Sequence, residues 1–285
     1  MFIPRSENVT KNKKSLIIAV VIVGLFILIL VIGKVDLSIQ FSKEVKELFG
    51  QSKDISGKRF QQQQLYGLPQ PVQRYFRHIL KDGQLYISYA RITHDGKFKM
   101  GLDKKWIDIK GEQYATTEKP GFIWKGITAM FTARDMYIAD KGRLIVSLFS
   151  LYRVVDAKGE QYDEGELLRW LGESILYPTS LLPDERLKWA GIDSNSAKLT
   201  FSYKGLLLFF IITFNEIGEI IQMETKRYMD KTKLETWVIK FDEYKEINNV
   251  MVPLKFEVLW RLEKGDFSYA KFNITKIEYN KAEIF

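Results

Sequence analysis

Glu166, Arg169 and Glu173 stand at i, i+3 and i+7 in a segment with the residues of a helix, so their side chains share one helical face. Two arrangements fit that spacing. One is a carboxylate–guanidinium–carboxylate cluster at the mouth of a cavity. The other is a solvated salt-bridge ladder, worth only ~0.5 kcal/mol per pair. Arg134-Asp135, at the end of an apolar strand, admits the same two readings: a buried pair or an ion pair at a strand end. Glu173 or Asp135 could also act as acid or base in an envelope hydrolase, although no catalytic motif surrounds either residue.

Other chemistries lack their residues. The 285-residue chain has no cysteine, which removes thiol nucleophiles, thiolate metal sites, disulfides and lipoprotein acylation. His78 falls on the exposed side of a short helix. His94 lies in what reads as a hairpin turn, Thr93-His94-Asp95-Gly96. Neither has a partner at metal-ligand spacing, so both read as surface residues and no metal or cofactor is expected. No G-x-S-x-G elbow, P-loop or G-x-G-x-x-G fingerprint occurs, and Ser174 sits inside a helix.

Aromatic residues make up 14% of the chain. Phe122-Ile123-Trp124 alternates so that the rings of Phe122 and Trp124 share one side of a strand. Trp260, like Trp106, Trp170, Trp189 and Trp237, lies in or beside an apolar segment. Such rings either pack a core or line an apolar cavity, and both readings stay open. The candidate ligand-contacting residues are therefore Phe122, Trp124, Arg134, Arg169, Glu173 and Trp260.

The elements that must position these residues follow from periodicity. A helix starting at Asp163 or Gly165 carries an apolar stripe of Leu167, Leu168, Leu171, Ile175 and Leu176, and ends at Tyr177-Pro178. An earlier helix, Pro71 to Leu80, would bury Val72, Tyr75, Phe76 and Ile79. Beyond Gln84 the period becomes two, as in Leu199-Phe201-Tyr203, Trp237-Ile239-Phe241 and Phe256-Val258-Trp260. Turn residues separate these runs, which predicts an antiparallel meander. Roughly ten strands with one long enclosed or crossing helix can curl into a half-barrel, giving a mainly β (α+β) fold. Gly205 to Phe214 shows no alternation, which predicts a strand covered on both faces.

Location is the plainest message of the sequence. Residues 15–33 form an unbroken apolar run without charge or proline, long enough to cross a hydrocarbon layer of roughly 30 Å. Residues 1–14 carry Arg5, Lys11, Lys13 and Lys14 against Glu7, so the positive-inside rule keeps them cytoplasmic and exports the residues beyond the apolar run. Gly33-Lys34-Val35-Asp36 is a poor cleavage site, which favours a retained signal anchor over a signal peptide. The expected organisation is a cytoplasmic N-terminus (1–14), a single-pass transmembrane anchor (15–33), a stalk and linker (34–64) and an extracytoplasmic β-rich domain (65–285). The net charge of +8 is spread as Lys/Glu alternation without a basic stripe, so no nucleic-acid partner is expected.

The pieces Leu68-Pro69-x-Pro71-Val72-x-Arg74-Tyr75-Phe76, Gly96-x-Phe98, Pro120-Gly121-Phe122-x-Trp124, Arg134-Asp135 and Gly165-Glu166-Leu167-x-Arg169-x-Leu171-x-Glu173 resemble a bacterial membrane-anchored family known only as a domain of unknown function. Trp106, Gln113-Tyr114, Pro178, Pro253, Trp260 and Tyr269 complete the pattern, which covers roughly Leu65 to Asn280. The resemblance implies one domain, with Arg169 and Glu173 partly buried, and no particular reaction. More remotely, the expected architecture is similar to the LolA/LolB lipoprotein-carrier half-barrel, which implies an apolar cavity fit for acyl chains. The resulting expectation is an anchored domain binding a lipid or lipidated molecule, with the bilayer as its partner. The alternative is a structural or assembly factor whose interior is filled core.

Overall fold

The computed structural model describes residues 6–230 and 232–285, with side chains from residue 16 onward. The basic flank at Arg5, Lys11, Lys13 and Lys14 lies outside the described side chains. A single helix, α1 (Ser6–Gly50), carries the apolar run. Among the described residues it is the one helix long and apolar enough to cross a membrane.

α1 does not end where the apolar run ends. Phe41, Val45, Leu48 and Phe49 recur at helical spacing and are buried. Residues 34–50 of the segment expected as a stalk and linker thus continue α1 and lie on the outer face of the sheet. There it shares a small core with Tyr89, Tyr114, Ile123, Met136 and Ile145. Helix α2 (Gln70–Ile79) comes next, with Pro71 in its first turn and Val72, Tyr75, Phe76 and Ile79 buried, as the spacing predicts.

Among the described residues thirteen antiparallel strands then form one sheet, three more than the roughly ten expected. The first six form a meander: β1 (Tyr89–Phe98), β2 (Ile107–Thr116), β3 (Gly121–Ile127), β4 (Phe131–Ile138), β5 (Lys141–Leu148) and β6 (Tyr152–Lys158). From that edge, α3 (Glu160–Glu173) crosses the concave face, beginning a few residues before Asp163. The chain re-enters at the far edge as β7 (Leu187–Gly191), β8 (Ser196–Tyr203), β9 (Leu206–Phe214) and β10 (Ile220–Tyr228). It then works back to the centre through β11 (Leu234–Ile247), β12 (Val250–Leu262) and β13 (Gly265–Tyr279), where β13 pairs with β1.

The sheet stays open but curls strongly. Tyr203, at the end of β8, donates to Asp140 in the β4–β5 turn at 2.8 Å, and the Arg186 guanidinium donates to the Glu118 carbonyl at 2.8 Å. Curvature of that kind follows from the right-handed twist accumulating over so many strands. α3 fills one end of the trough: Leu167, Leu168, Trp170 and Leu171 are all buried, and the Trp170 indole N–H donates to the Thr116 carbonyl at 2.9 Å.

β9 differs from its expectation. Leu208, Phe210, Ile212 and Phe214 face the core, whereas Leu207 is 70% exposed and the other outward residues are half-buried. α1 covers the outer face near β1 to β5, away from β9.

Candidate functional site

β4 sets the geometry. Its alternation points Arg134 outward and Asp135 inward. Inside, Asp135 accepts from an Arg169 Nη1–H, and Arg169 Nε–H donates to Glu173 at 2.8 Å. The second Glu173 oxygen accepts from the Gln113 side-chain amide at 2.7 Å. The guanidinium carbon lies 5.0 Å from the centre of the Phe122 ring and 4.9 Å from that of Trp124, so two aromatic faces back the charge. Arg169, Asp135 and Glu173 are 12%, 14% and 18% exposed, which makes this a partly buried cluster and not a solvated ladder.

Glu166 shares the helix face but not that cluster. Its partner is Arg227 on β10, at 3.1 Å, and the Arg227 guanidinium rests 4.6 Å from the Trp237 ring centre. Burial, and then the negative charge of Asp135, raise the Glu166 carboxyl well above its ordinary range against the pull of Arg227 and Arg169. One buried oxygen of Glu166 and one of Asp135 have no hydrogen-bond partner among the described residues. The upward shift favours a protonated Glu166, whose O–H could bond Asp135.

His94 corrects the sequence reading most sharply. It lies within β1, is 5% exposed, and its Nε2 accepts the Trp124 indole N–H at 2.8 Å. Gly111 on the neighbouring strand leaves the room: a Cβ there would fall 1.8 Å from Nε2. Burial pushes the imidazole down to about 4, so it is neutral near pH 7. Since Nε2 accepts, the proton sits on Nδ1, facing the Asp95 carbonyl at 3.3 Å.

Trp124, Asp135, Glu166, Arg169, Glu173 and Arg227 line a cavity of about 860 Å³ between α3 and the concave face. Its size falls within the roughly 300–1,000 Å³ range of small-molecule pockets. Apolar side chains form the walls, among them Phe131, Ala133, Val146, Val258, Trp260 and Phe267. Of the expected site residues, Trp124, Arg169, Glu173 and Trp260 all line this volume, and Phe122 backs Arg169 from below. Arg134 is not brought to it. Buried on the outer face, Arg134 donates to Glu44 of α1 at 2.6 Å. Asp135, the next residue, takes the inward place. Gln113, Arg227 and His94 are not among the expected site residues. Arg227 has a signal: with Met223 and Thr225 it falls on the inward register of β10, where a charge requires a partner.

Residues 58–272 match DUF6544, a family of unknown function. The chain belongs to that family. The DUF6544 region holds α2, α3 and nearly every strand, so the whole cavity lies within it, whereas α1 lies outside. No curated protein matches the chain. Among solved structures, it is similar to a domain assigned as an outer membrane lipoprotein-sorting protein from Vibrio parahaemolyticus, at 11% identity and a TM-score of 0.38, covering 67% of this chain and 85% of that one. It is likewise similar to a LolA superfamily protein from Nitrosomonas europaea, at 11% identity and a TM-score of 0.35, covering 74% and 92%. At that degree of overlap, what the DUF6544 cavity can hold is read from its own residues.

Proposed function

We propose that this is a membrane-anchored extracytoplasmic domain that holds a hydrophobic ligand, a lipid or a lipidated molecule, in its concave cavity. The volume carries the reading. A packed interior leaves few voids larger than a water molecule, yet about 860 Å³ stands open here between largely apolar walls. Burying an acyl chain gains about 0.8 kcal/mol per CH₂ in a membrane or in an apolar cavity alike, so exchange between the two is nearly balanced. The buried ion pairs brace α3 against the sheet and keep the trough from collapsing. Residues 15–33 serve as a retained anchor, with the N-terminus cytoplasmic and the domain on the export side.

Two measurements test this. Full-chain protein in mild detergent is titrated with a fluorescent fatty-acyl probe, beside Ala133→Trp and Val146→Trp, which fill the cavity from its walls. Wild type should bind, and both variants should lose binding with an unchanged unfolding midpoint. Equal binding by all three would put the probe elsewhere and sink the carrier reading, while no binding by wild type would favour an assembly factor. Topology is checked by a cysteine at exposed Asn249, which a membrane-impermeant thiol reagent should label in intact cells or spheroplasts; protection of that position would reverse the orientation.

A further inference from the structure

The direction in which the cavity opens can be read against α1. At one end of the sheet Gly33 is packed against the β5–β6 turn, so closely that a Cβ there would lie 2.3 Å from Leu151 Cδ2. Midway, Glu44 meets Arg134 in β4. At the other end Leu48 touches Gly121 at the start of β3, and the Tyr89 hydroxyl donates to the Ser52 carbonyl. Residues 33–50 therefore run the height of the sheet, about 25 Å at 1.5 Å per residue. The exposed apolar residues Leu16 to Ile32 leave the domain at the end marked by Leu151.

The cavity lining reaches that same end, at residues 98–102, 148 and 229–230. The connections there are 99–106 between β1 and β2, 128–130 between β3 and β4, 149–151 between β5 and β6, and 229–230 with 232–233 between β10 and β11. Met100 and Leu102 belong to the cavity lining. The rim is apolar and bare: Met100 is 56% exposed, Leu102 60%, Ile127 48%, Met130 55% and Phe149 52%. Lys104, Lys105, Lys233 and Lys264 are exposed among them, beside the acidic Asp103, Asp230 and Glu263. Large apolar residues gathered at one end of a domain mark an interaction surface, and interspersed lysines suit anionic head groups. The opposite end carries polar turns such as Asn248-Asn249, and its exposed Ile192 and Ile217 each stand beside an acidic residue, Asp193 and Glu216.

We propose that this rim rests on the bilayer that α1 crosses, with Leu102, Met130 and Phe149 dipping into the interface. The cavity then takes the acyl chains of a lipid directly from the leaflet beneath it, without a passage through water. The proposal rests on the anchored-carrier reading above and names where that carrier loads.

The absence of native cysteine makes the test clean. Full-chain variants Leu102→Cys, Met130→Cys and, at the opposite end, Asn249→Cys are labelled with NBD. They are reconstituted into vesicles of phosphatidylcholine and phosphatidylglycerol containing a shallow spin-labelled phosphatidylcholine. The rim labels should lose most of their emission and the Asn249 label should keep its own. Rim labels as bright as the Asn249 label, or all three quenched alike, would overturn the proposal. Repeating the measurement in the Ala133→Trp background separates the two ideas: docking leaves the quenching intact even where the cavity holds nothing. In a second arm, Met130→Asp with Phe149→Asp, neither of which lines the cavity, should slow uptake of NBD-phosphatidylethanolamine from vesicles roughly tenfold, since apolar side chains no longer gain by burial in the interface. Probe binding from detergent should stay at the wild-type level. Equal loss from both sources would mean damage to the cavity and would remove this support for loading from the leaflet.

Discussion

The two faces of β4 solve one problem in two ways. On each face a helix is tied to the sheet by an arginine that is largely withdrawn from water. On the outer face Arg134 reaches Glu44 of α1, and around that pair Phe41, Val45 and Leu48 pack against Tyr114 and Ile123. On the inner face Asp135 reaches Arg169 of α3, and beside that pair about 860 Å³ of largely apolar volume stands open. The difference lies in curvature. A helix can follow the convex side of a curled sheet closely, whereas on the concave side a single helix spans the trough and cannot fill it.

Arg169→Met should be the most damaging change. It strips Asp135 and Glu173 of their counter-charge in a partly buried setting, where breaking an ion pair costs about 3–5 kcal/mol. All six tryptophans lie between residues 106 and 260, so fluorescence-detected denaturation of the full chain in detergent reads this domain. A midpoint matching wild type would end the idea that the cluster braces α3.

His94 should give the next largest effect, through pH. The unfolded chain takes up its proton near 6.5, while the folded chain resists until about 4. Its contribution is therefore complete above pH 6.5 and is lost as the pH falls through about 4; at 1.36 kcal/mol per unit it is worth roughly 3 kcal/mol at most. His94→Gln keeps an acceptor for the Trp124 indole and does not titrate. Denaturation midpoints between pH 7 and 4 should fall less in this variant, and parallel profiles would refute the linkage.

On the outer face, Arg134→Met should cost less than Arg169→Met, about 1.5–3 kcal/mol for the loss of charged hydrogen bonds. Glu44 is 21% exposed and can turn to water when its partner is gone. If the two variants lose equal stability in the same denaturation series, the faces are not different in the way described.

Glu166→Gln should have the smallest effect. The amide reproduces the protonated carboxyl, accepting from Arg227 and donating toward Asp135. With its pKa raised in the folded state, wild-type Glu166 loses stability as pH rises from its ordinary value toward the folded one. The variant should be at least as stable as wild type at pH 8, with the margin shrinking toward pH 4.5. A large loss at pH 8 would mean that the charged form is the one the fold prefers.

The helices are legible in the sequence because amphipathic spacing repeats locally. Val72, Tyr75, Phe76 and Ile79 in α2, and the leucines of α3, are buried as their periodicity predicts. The sequence misleads at His94 for an instructive reason. Asp95-Gly96 looks like a turn, but Gly96 is needed because the Lys271 backbone passes so close that a Cβ would lie 2.1 Å from its carbonyl oxygen. The pairing of β1 with β13 slips between Thr93 and His94, a strand irregularity that a Gly-containing dipeptide also serves. β9 misleads because an apolar run reports side-chain type, not what lies across from it.

The sequence by itself determined the apolar length of α1, the change of period from helix to strand after Gln84, and the line of charges on α3. Each depends on neighbours within a few residues. Tertiary structure decided which charge meets which: Arg134 joins Glu44 across 90 positions, Arg227 joins Glu166 across 61, and Arg169 joins Asp135 across 34. It also decided that the trough is open. Whether a volume is filled depends on how far thirteen strands curl and where one helix crosses them, a sum of small twists that no local run of residues encodes.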